Sequence, residues 1–551
     1  MKQTIFTLNP LNDVFPNTVL EDCRTYSLHM AKNEGEGFII GINTDTELKN
    51  LRAKIVCETT TIEIRAFHIG FVPFSRNTIH IGTNSIRALA PGVLPEYFSN
   101  EKEITLKAGT SCGIYISAYT SSNTPTGVTN GKIILTADGF EAEIDFDITV
   151  YNVTLPAPEN SKFTYVCWAR LLNEQIVKNV FGLELYSEEY WEYVKNCAKI
   201  LRRERQNMIN IELDIILARD ISADKNGNLI FDYKLFDKFA EIMLNKNYMG
   251  TKYLVGMHLL QADSKFDPLS HGWAQRPLNA WIFEQQPDGT IQKVLKPANS
   301  PDVEKFHRTL FSSLAVHLRE KGWSEIWCQH VADEVNNDIH YQQTKAIYDI
   351  IHEYLPEART IDAVRKESAY AFGKSLDIHV PLLWQYDMSS EAYDYVKGDD
   401  TEIWQYTCLQ PQFDYLSRLG DYPLISTRLL CWYNFKHNLT GYLHYAWATY
   451  RCCTVPWNPY ADVCCYGPFP CDSFIVYPDK ENRTVLESVR SEAMRDSIED
   501  YELLSIVAKK HPKMIKQLVD TVVTTADDYI RNTQFLMQLR VELLKLASEE
   551  E

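Results

Sequence analysis

Ile326-Trp327-Cys328-Gln329-His330-Val331-Ala332-Asp333-Glu334 is a short apolar run that ends in two adjacent carboxylates. A run of this length, bounded by charge, suits a strand of a parallel sheet that is covered on both faces. Helical segments flank it, Val303 to Lys321 before and Tyr341 to Tyr354 after. The same alternation recurs outward along the chain. Phe163 to Trp168, Ile209 to Ile216, Tyr253 to Leu259, Arg359 to Val364, Leu376 to Val380, Glu402 to Tyr406 and Gly441 to Trp447 are further short runs, with helical stretches between most of them. One of these stretches, Ser187 to Arg203, carries Glu188 and Glu189 in its first turn, where the helix dipole favours negative charge. Eight strands over roughly 290 residues predict a (β/α)8 TIM barrel with insertions. The C-terminal ends of the strands form the active face of such a barrel, and Asp333 and Glu334 lie at one of those ends.

The flanking regions read differently. Before residue 157 the chain is strands and turns. Ile62 to Phe67 and Glu143 to Val150 alternate with period two, the mark of half-buried antiparallel strands. Pro91-Gly92-Val93-Leu94-Pro95 and Thr124-Pro125-Thr126-Gly127 punctuate them, and a β-sandwich follows. Leu155-Pro156-Ala157-Pro158 reads as a linker, because its prolines cannot continue a central strand. After Val485 the apolar residues fall at helical spacing, with Leu503, Leu504, Ile506 and Val507 as one group. The fold class is therefore a multidomain α and β chain. The expected domains are an N-terminal antiparallel β-sandwich (1–157), a catalytic barrel (161–480) and a C-terminal helical extension packed on it (481–551).

The 551 residues are too many for one core, and 45% apolar with 23% charged residues is a globular composition. A formal charge of −18 disfavours nucleic acid and anionic membranes as partners but is indifferent to neutral sugars. No run of about 18 apolar residues is present, so no membrane span is expected. The start, Met1 to Phe6, lacks a signal-peptide core, and the 13 cysteines are odd in number. Reduced thiols in the cytoplasm are the expectation. The adjacent pairs Cys452-Cys453 and Cys464-Cys465 lack the spacing of zinc ligands, so neither metal nor cofactor is expected.

Two acids at one strand end repel, and the repulsion raises the pKa of one of them. That group can then act as the general acid a glycosidic bond needs for its departing oxygen. An Asp-Glu pair can also cap a helix, but the strand-end position favours catalysis. Double displacement by two enzyme carboxylates wants them about 5–5.5 Å apart across the scissile bond. Neighbouring residues start from Cα atoms only about 3.8 Å apart. A substrate-assisted scheme fits better. In it the sugar's own 2-acetamido oxygen attacks the anomeric carbon, the first carboxylate holds the acetamide N–H, and the second is acid and then base.

Several segments resemble glycoside hydrolase family 123, the retaining β-N-acetylgalactosaminidases. They are Pro91 to Pro95, Asp333-Glu334, Trp404-Gln405-Tyr406, Gly441 to Trp447, Phe474-Ile475-Val476-Tyr477-Pro478 and Ser488 to Glu502. The resemblance spans most of the chain. It implies the sandwich, the barrel and substrate assistance, with Asp333 as acetamide stabiliser and Glu334 as acid/base. One departure stands out. Glycine is expected before Asp472, and the residue is Cys471.

Aromatic residues at other strand ends complete the expected site. Trp384-Gln385-Tyr386 and Trp404-Gln405-Tyr406 are near-identical triplets, and Trp447 ends the last run. Their indoles are candidate walls for the acetamide methyl, and Tyr386 and Tyr406 are candidate donors to its oxygen. Core packing explains such rings as well. His258 and Asn458 are candidates for sugar hydroxyls. The expected partner is a glycan with a terminal N-acetylhexosamine. Two alternatives stay open: a glycosidase of another specificity, with Asp214 or Asp387 as a distant second acid, and a silent glycan-binding protein.

Overall fold

The computed structural model describes residues 3–59, 61–262, 277–335, 337–398 and 400–549. The chain is a mixed α/β protein whose N-terminal part is two five-stranded sheets. In the first, the order is Gln3–Leu8, Gly35–Thr44, Thr110–Thr120, Ile62–Phe74 and Gly92–Ser99, all antiparallel. In the second it is Thr25–Lys32, Phe140–Thr154, Gly127–Ala137, Leu48–Cys57 and Ile104–Leu106. One pair there, Thr25–Lys32 with Phe140–Thr154, is parallel. The period-two pattern shows why these strands form. Ala142, Ile144, Phe146, Ile148 and Val150 point into the core between the sheets, and the residues between them face outward.

The middle of the chain supplies the parallel strands. Thr164–Cys167, Gly441–His444 and Gln405–Thr407 form a three-stranded sheet. Met208–Ile211, Tyr253–Gly256, Trp327–Gln329, Arg359–Ala363, Ile378–Val380 and Glu402–Ile403 form a six-stranded one. Every neighbouring pair is parallel. The sequence predicts a single closed ring, and the ladder is instead divided. At one seam the sheets follow one another along the chain, with the Trp404 and Tyr406 amides donating to the His379 and Pro381 carbonyls at 3.0 Å each. At the other seam side-chain amides stand in for most of the ladder, beside a backbone bond from the Asn207 amide to the Tyr165 carbonyl at 3.2 Å. The Tyr165, Cys167 and Ala169 amides donate to the side-chain oxygens of Asn207, Gln206 and Asn210, at 2.8, 2.8 and 2.9 Å. Ile209 to Ile216 is also not one strand, because the chain turns at Glu212 into the helical turn Leu213–Ile216.

The tail begins with a strand, Thr484–Leu486, paired with Tyr477–Asp479, before the helices Val489–Lys510, Pro512–Val522 and Thr533–Ser548. Ser488 caps the first of these in a capping box. Its charged residues from Arg490 to Glu502 are buried, and several pair with residues of other elements. Arg428 meets Asp500 at 2.9 Å, Glu36 at 2.9 Å and Asp496 at 3.2 Å, and Arg205 meets Glu499 at 2.6 Å. Arg540 bonds Glu34 and Asp500. The N-terminal sheets, the parallel strands' helices and the tail thus converge on one buried ion network, where removing a single partner strands a charge. No described helix is long and apolar enough to cross a membrane.

Candidate active site

The strand Trp327–Gln329 runs on through buried His330, Val331 and Ala332 to Asp333 and Glu334. Asp362, fully buried on the neighbouring strand, holds this segment. It accepts from the Val331 and Ala332 amides at 3.3 and 3.2 Å, from His330 Nδ1 at 3.3 Å and from the Tyr348 hydroxyl. Gln329 Nε2 donates to the Met257 and His330 carbonyls at 3.0 and 2.7 Å. The backbone delivering the acid pair is therefore pinned from both sides. Glu334 itself has φ 49°, in the left-handed region that non-glycine residues seldom adopt and that clusters at functional sites.

Asp333 and Glu334 line a cavity of about 1010 Å³ together with Arg170, Glu212, Asp214 and His258. Solvent reaches the Asp333 carboxyl through the open mouth, but protein surrounds it on the other sides. Burial first, then the charges of Glu334 and Asp362, push its pKa up to about 7 against the pull of Arg170. The Tyr406 hydroxyl donates to Glu334 Oε1 at 2.6 Å. Burial and the Glu334 charge hold that phenol well above its ordinary pKa, so it stays a donor. His258 is held well below its ordinary pKa by burial, with smaller contributions from His330 and Arg170, and is neutral. One oxygen of Glu334 is thereby fixed by a neutral donor.

The remaining predicted residues divide. Trp384 is half-buried, packs on the cluster inside the parallel strands that also holds Tyr406, and has a buried indole N–H without a partner among the described residues. Tyr386 points elsewhere. Its ring lies against Tyr393, Tyr433 and His437. The reason is local geometry: Leu383–Met388 is a helix, and two residues along a helix turn the side chain by about 200°. Trp404 is fully buried at the beginning of its strand, where its indole donates to Glu402 Oε2 at 2.9 Å and its face covers Gly441. Trp447 is fully buried in the outer core and donates to Glu204 Oε2 at 2.6 Å. Asn458 is exposed on its loop and does not line the cavity. Of the two distant acids, Asp214 lines the cavity, paired with Lys293 at 2.5 Å. Asp387 accepts from the Tyr433 hydroxyl at 2.8 Å, off the cavity.

Three residues enter the site that sequence reasoning passed over: Trp168, Arg170 and Glu212. Trp168 and Glu212 directly follow the ends of parallel strands and Arg170 lies three residues beyond one, and that position was the available signal. Trp168 stands edge-on to His258 and His330, with ring centroids 5.0 and 5.7 Å away, and the Arg170 guanidinium lies over it at 5.2 Å. Cys471, where the resemblance expects glycine, has φ 62°, the conformation that glycine adopts without strain.

Among the described residues, one group has donor atoms close enough to hold a metal ion, His258, His330 and Asp362, all within 4.8 Å. The Asp362 carboxylate already accepts from two amides, a phenol and an imidazole, so its oxygens are committed to fixing the strand end. The thiols form no disulfide among the described residues, and Cys453 and Cys465 approach to 4.0 Å between sulfurs.

The fold has a clear counterpart. A family 123 glycoside hydrolase from Clostridium perfringens, described for glycolipid glycan hydrolysis, superposes with a TM-score of 0.72 at 15% identity, over 99% of this chain and 97% of that one. A β-galactosidase from the psychrophilic Marinomonas ef1 scores 0.35 at 9% identity over 61% of this chain and 60% of that one, too little to carry an argument. No curated protein matches the chain by sequence. The sequence family described as "Glycoside hydrolase 123, catalytic domain" matches residues 172–507. The chain belongs to glycoside hydrolase family 123.

Proposed function

We propose that the protein is an exo-acting, retaining β-N-acetylgalactosaminidase that works by substrate assistance. The observation that carries this reading is the Asp333–Glu334 pair in one cavity, with Glu334 held by the Tyr406 phenol at 2.6 Å. In the first step the 2-acetamido carbonyl oxygen attacks the anomeric carbon. The raised pKa of the pair belongs to Asp333, so repulsion alone does not choose the acid; Asp333 acts in its ionised form, accepting the acetamide N–H and balancing the positive charge of the oxazolinium ring as it forms. Glu334 gives its proton to the departing glycosidic oxygen. In the second step Glu334 takes a proton from water, and the water opens the ring with net retention. The Trp384 indole walls the acetamide methyl, restricting the rotations that ring closure must freeze. The likeness to an enzyme described for glycolipid glycans suggests the terminal sugar of a glycolipid glycan as substrate class.

In this reading residues 1–157 are a sandwich domain, 161–480 the catalytic domain and 481–551 a helical extension. The two parallel sheets act as one (β/α)8 wall, with Glu402–Ile403 and Gln405–Thr407 counted as one interrupted strand and one seam joined by side-chain amides. Hydrolysis of paired aryl N-acetyl-β-galactosaminide and N-acetyl-β-glucosaminide, with and without a thiazoline inhibitor, tests the assignment. Preference for the galacto substrate and thiazoline inhibition are expected, since thiazolines mimic the cyclised intermediate. Turnover that thiazoline leaves untouched would contradict substrate assistance.

A further inference from the structure

Glu212 follows the strand Met208–Ile211 directly and lines the cavity of the acid pair. Its side chain is only 5% exposed. Oε1 accepts from Asn210 Nδ2 at 3.1 Å. Oε2 is buried and has no hydrogen-bond partner among the described residues. Burying a carboxylate oxygen without a donor is costly, and such atoms call for a ligand or a role. Arg170 is placed in a similar way. Its backbone has φ 54°, its guanidinium lies over Trp168, and its 3.7 Å approach to Glu212 Oε1 is too long for a hydrogen bond. A carboxylate oxygen wanting donors and a guanidinium wanting acceptors thus stand side by side in the cavity of the acid pair. Asp214, the next acid along, is already neutralised by Lys293.

A terminal N-acetylhexosamine needs this complement. Asp333 and Glu334 are occupied by the acetamide and the leaving oxygen, which leaves the 3-, 4- and 6-hydroxyls to the other polar residues of the cavity. Each hydroxyl can donate to a carboxylate and accept from a guanidinium. We propose that Glu212 Oε2 and the Arg170 guanidinium bind ring hydroxyls of the terminal sugar and set its specificity. The inference rests on the functional reading above and deepens it.

The test is kcat/KM on an aryl N-acetyl-β-galactosaminide and its 3-, 4- and 6-deoxy analogues, for wild type and Glu212→Gln. Wild type is expected to reject at least one deoxy analogue by about tenfold to a hundredfold, the range for a hydrogen bond to a charged group. In Glu212→Gln the parent substrate falls by a similar factor and that rejection shrinks to within about threefold, the signature of a coupled pair. A thermal melt of the variant confirms that it folds, and retained thiazoline inhibition confirms that the acetamide side is intact. Full deoxy rejection surviving in Glu212→Gln would overturn the inference alone. So would a variant dead on every substrate and rescued by azide, which would make Glu212 a nucleophile. A wild type that cleaves none of the series would overturn the functional reading and the inference together.

Discussion

In Trp384-Gln385-Tyr386 the residues start the helix Leu383–Met388, whereas in Trp404-Gln405-Tyr406 they lie in an extended parallel strand. In the helix the indole faces the inner cluster and the phenol turns to the outer core. In the strand indole and phenol share a face but sit at different depths. Trp404 plugs the beginning of the strands, and Tyr406 reaches Glu334 at their far end. One triplet sends its Trp to the inner cluster, and the other sends its Tyr to the acid pair. Period, not residue type, decides where each ring points.

Five substitutions sharpen that contrast. The largest expected effect is on stability. Trp404→Ala and Tyr386→Ala each remove a fully buried ring and are expected to cost about 3–5 kcal/mol, read as a shift in denaturant midpoint. Trp384→Ala, on a half-buried ring, costs less stability and mainly raises KM. Next, Tyr406→Phe deletes the donor to Glu334 and is expected to lower kcat by about tenfold to a hundredfold with a near-native melting temperature. Tyr386→Phe keeps the ring and should stay within about twofold of wild type. Equal losses from the two Tyr→Phe changes would erase the distinction.

The smallest effect follows from titration. Asp333 has its pKa raised to about 7 from an ordinary 3.8. Between those values the folded chain keeps a proton that the unfolded chain releases, so stability falls as pH rises through that window. Asp333→Asn should therefore melt above wild type at pH 8 and level with it near pH 4, by differential scanning calorimetry. Wild-type kcat/KM should rise with pH toward 7 as Asp333 ionises.

The parallel strands were legible because strands covered on both faces are written as near-continuous apolar runs, and Ile326 to Ala332 is such a run, interrupted only by Gln329 and His330. The acid pair was legible because it ends that run. The seam closed by Gln206, Asn207 and Asn210 was not, since no local period records which neighbour a side-chain amide will serve. Glu212 was hidden inside an apparent strand, Ile209 to Ile216, whose apolar residues continue across the turn into Leu213–Ile216. The ion network was partly visible as an i,i+4 pattern on Val489–Lys510. Its decisive partners, Glu36, Arg428 and Arg540, are remote in sequence.

The account depends most on Glu334 as acid and base, and Glu334→Gln on an aryl N-acetyl-β-galactosaminide with a poor leaving group tests it directly. The variant keeps the shape and loses the proton, so kcat is expected to fall by about a hundredfold or more, with a smaller loss on a substrate whose leaving group needs no protonation. Undiminished turnover of the poor leaving group by a folded Glu334→Gln protein would contradict the central claim.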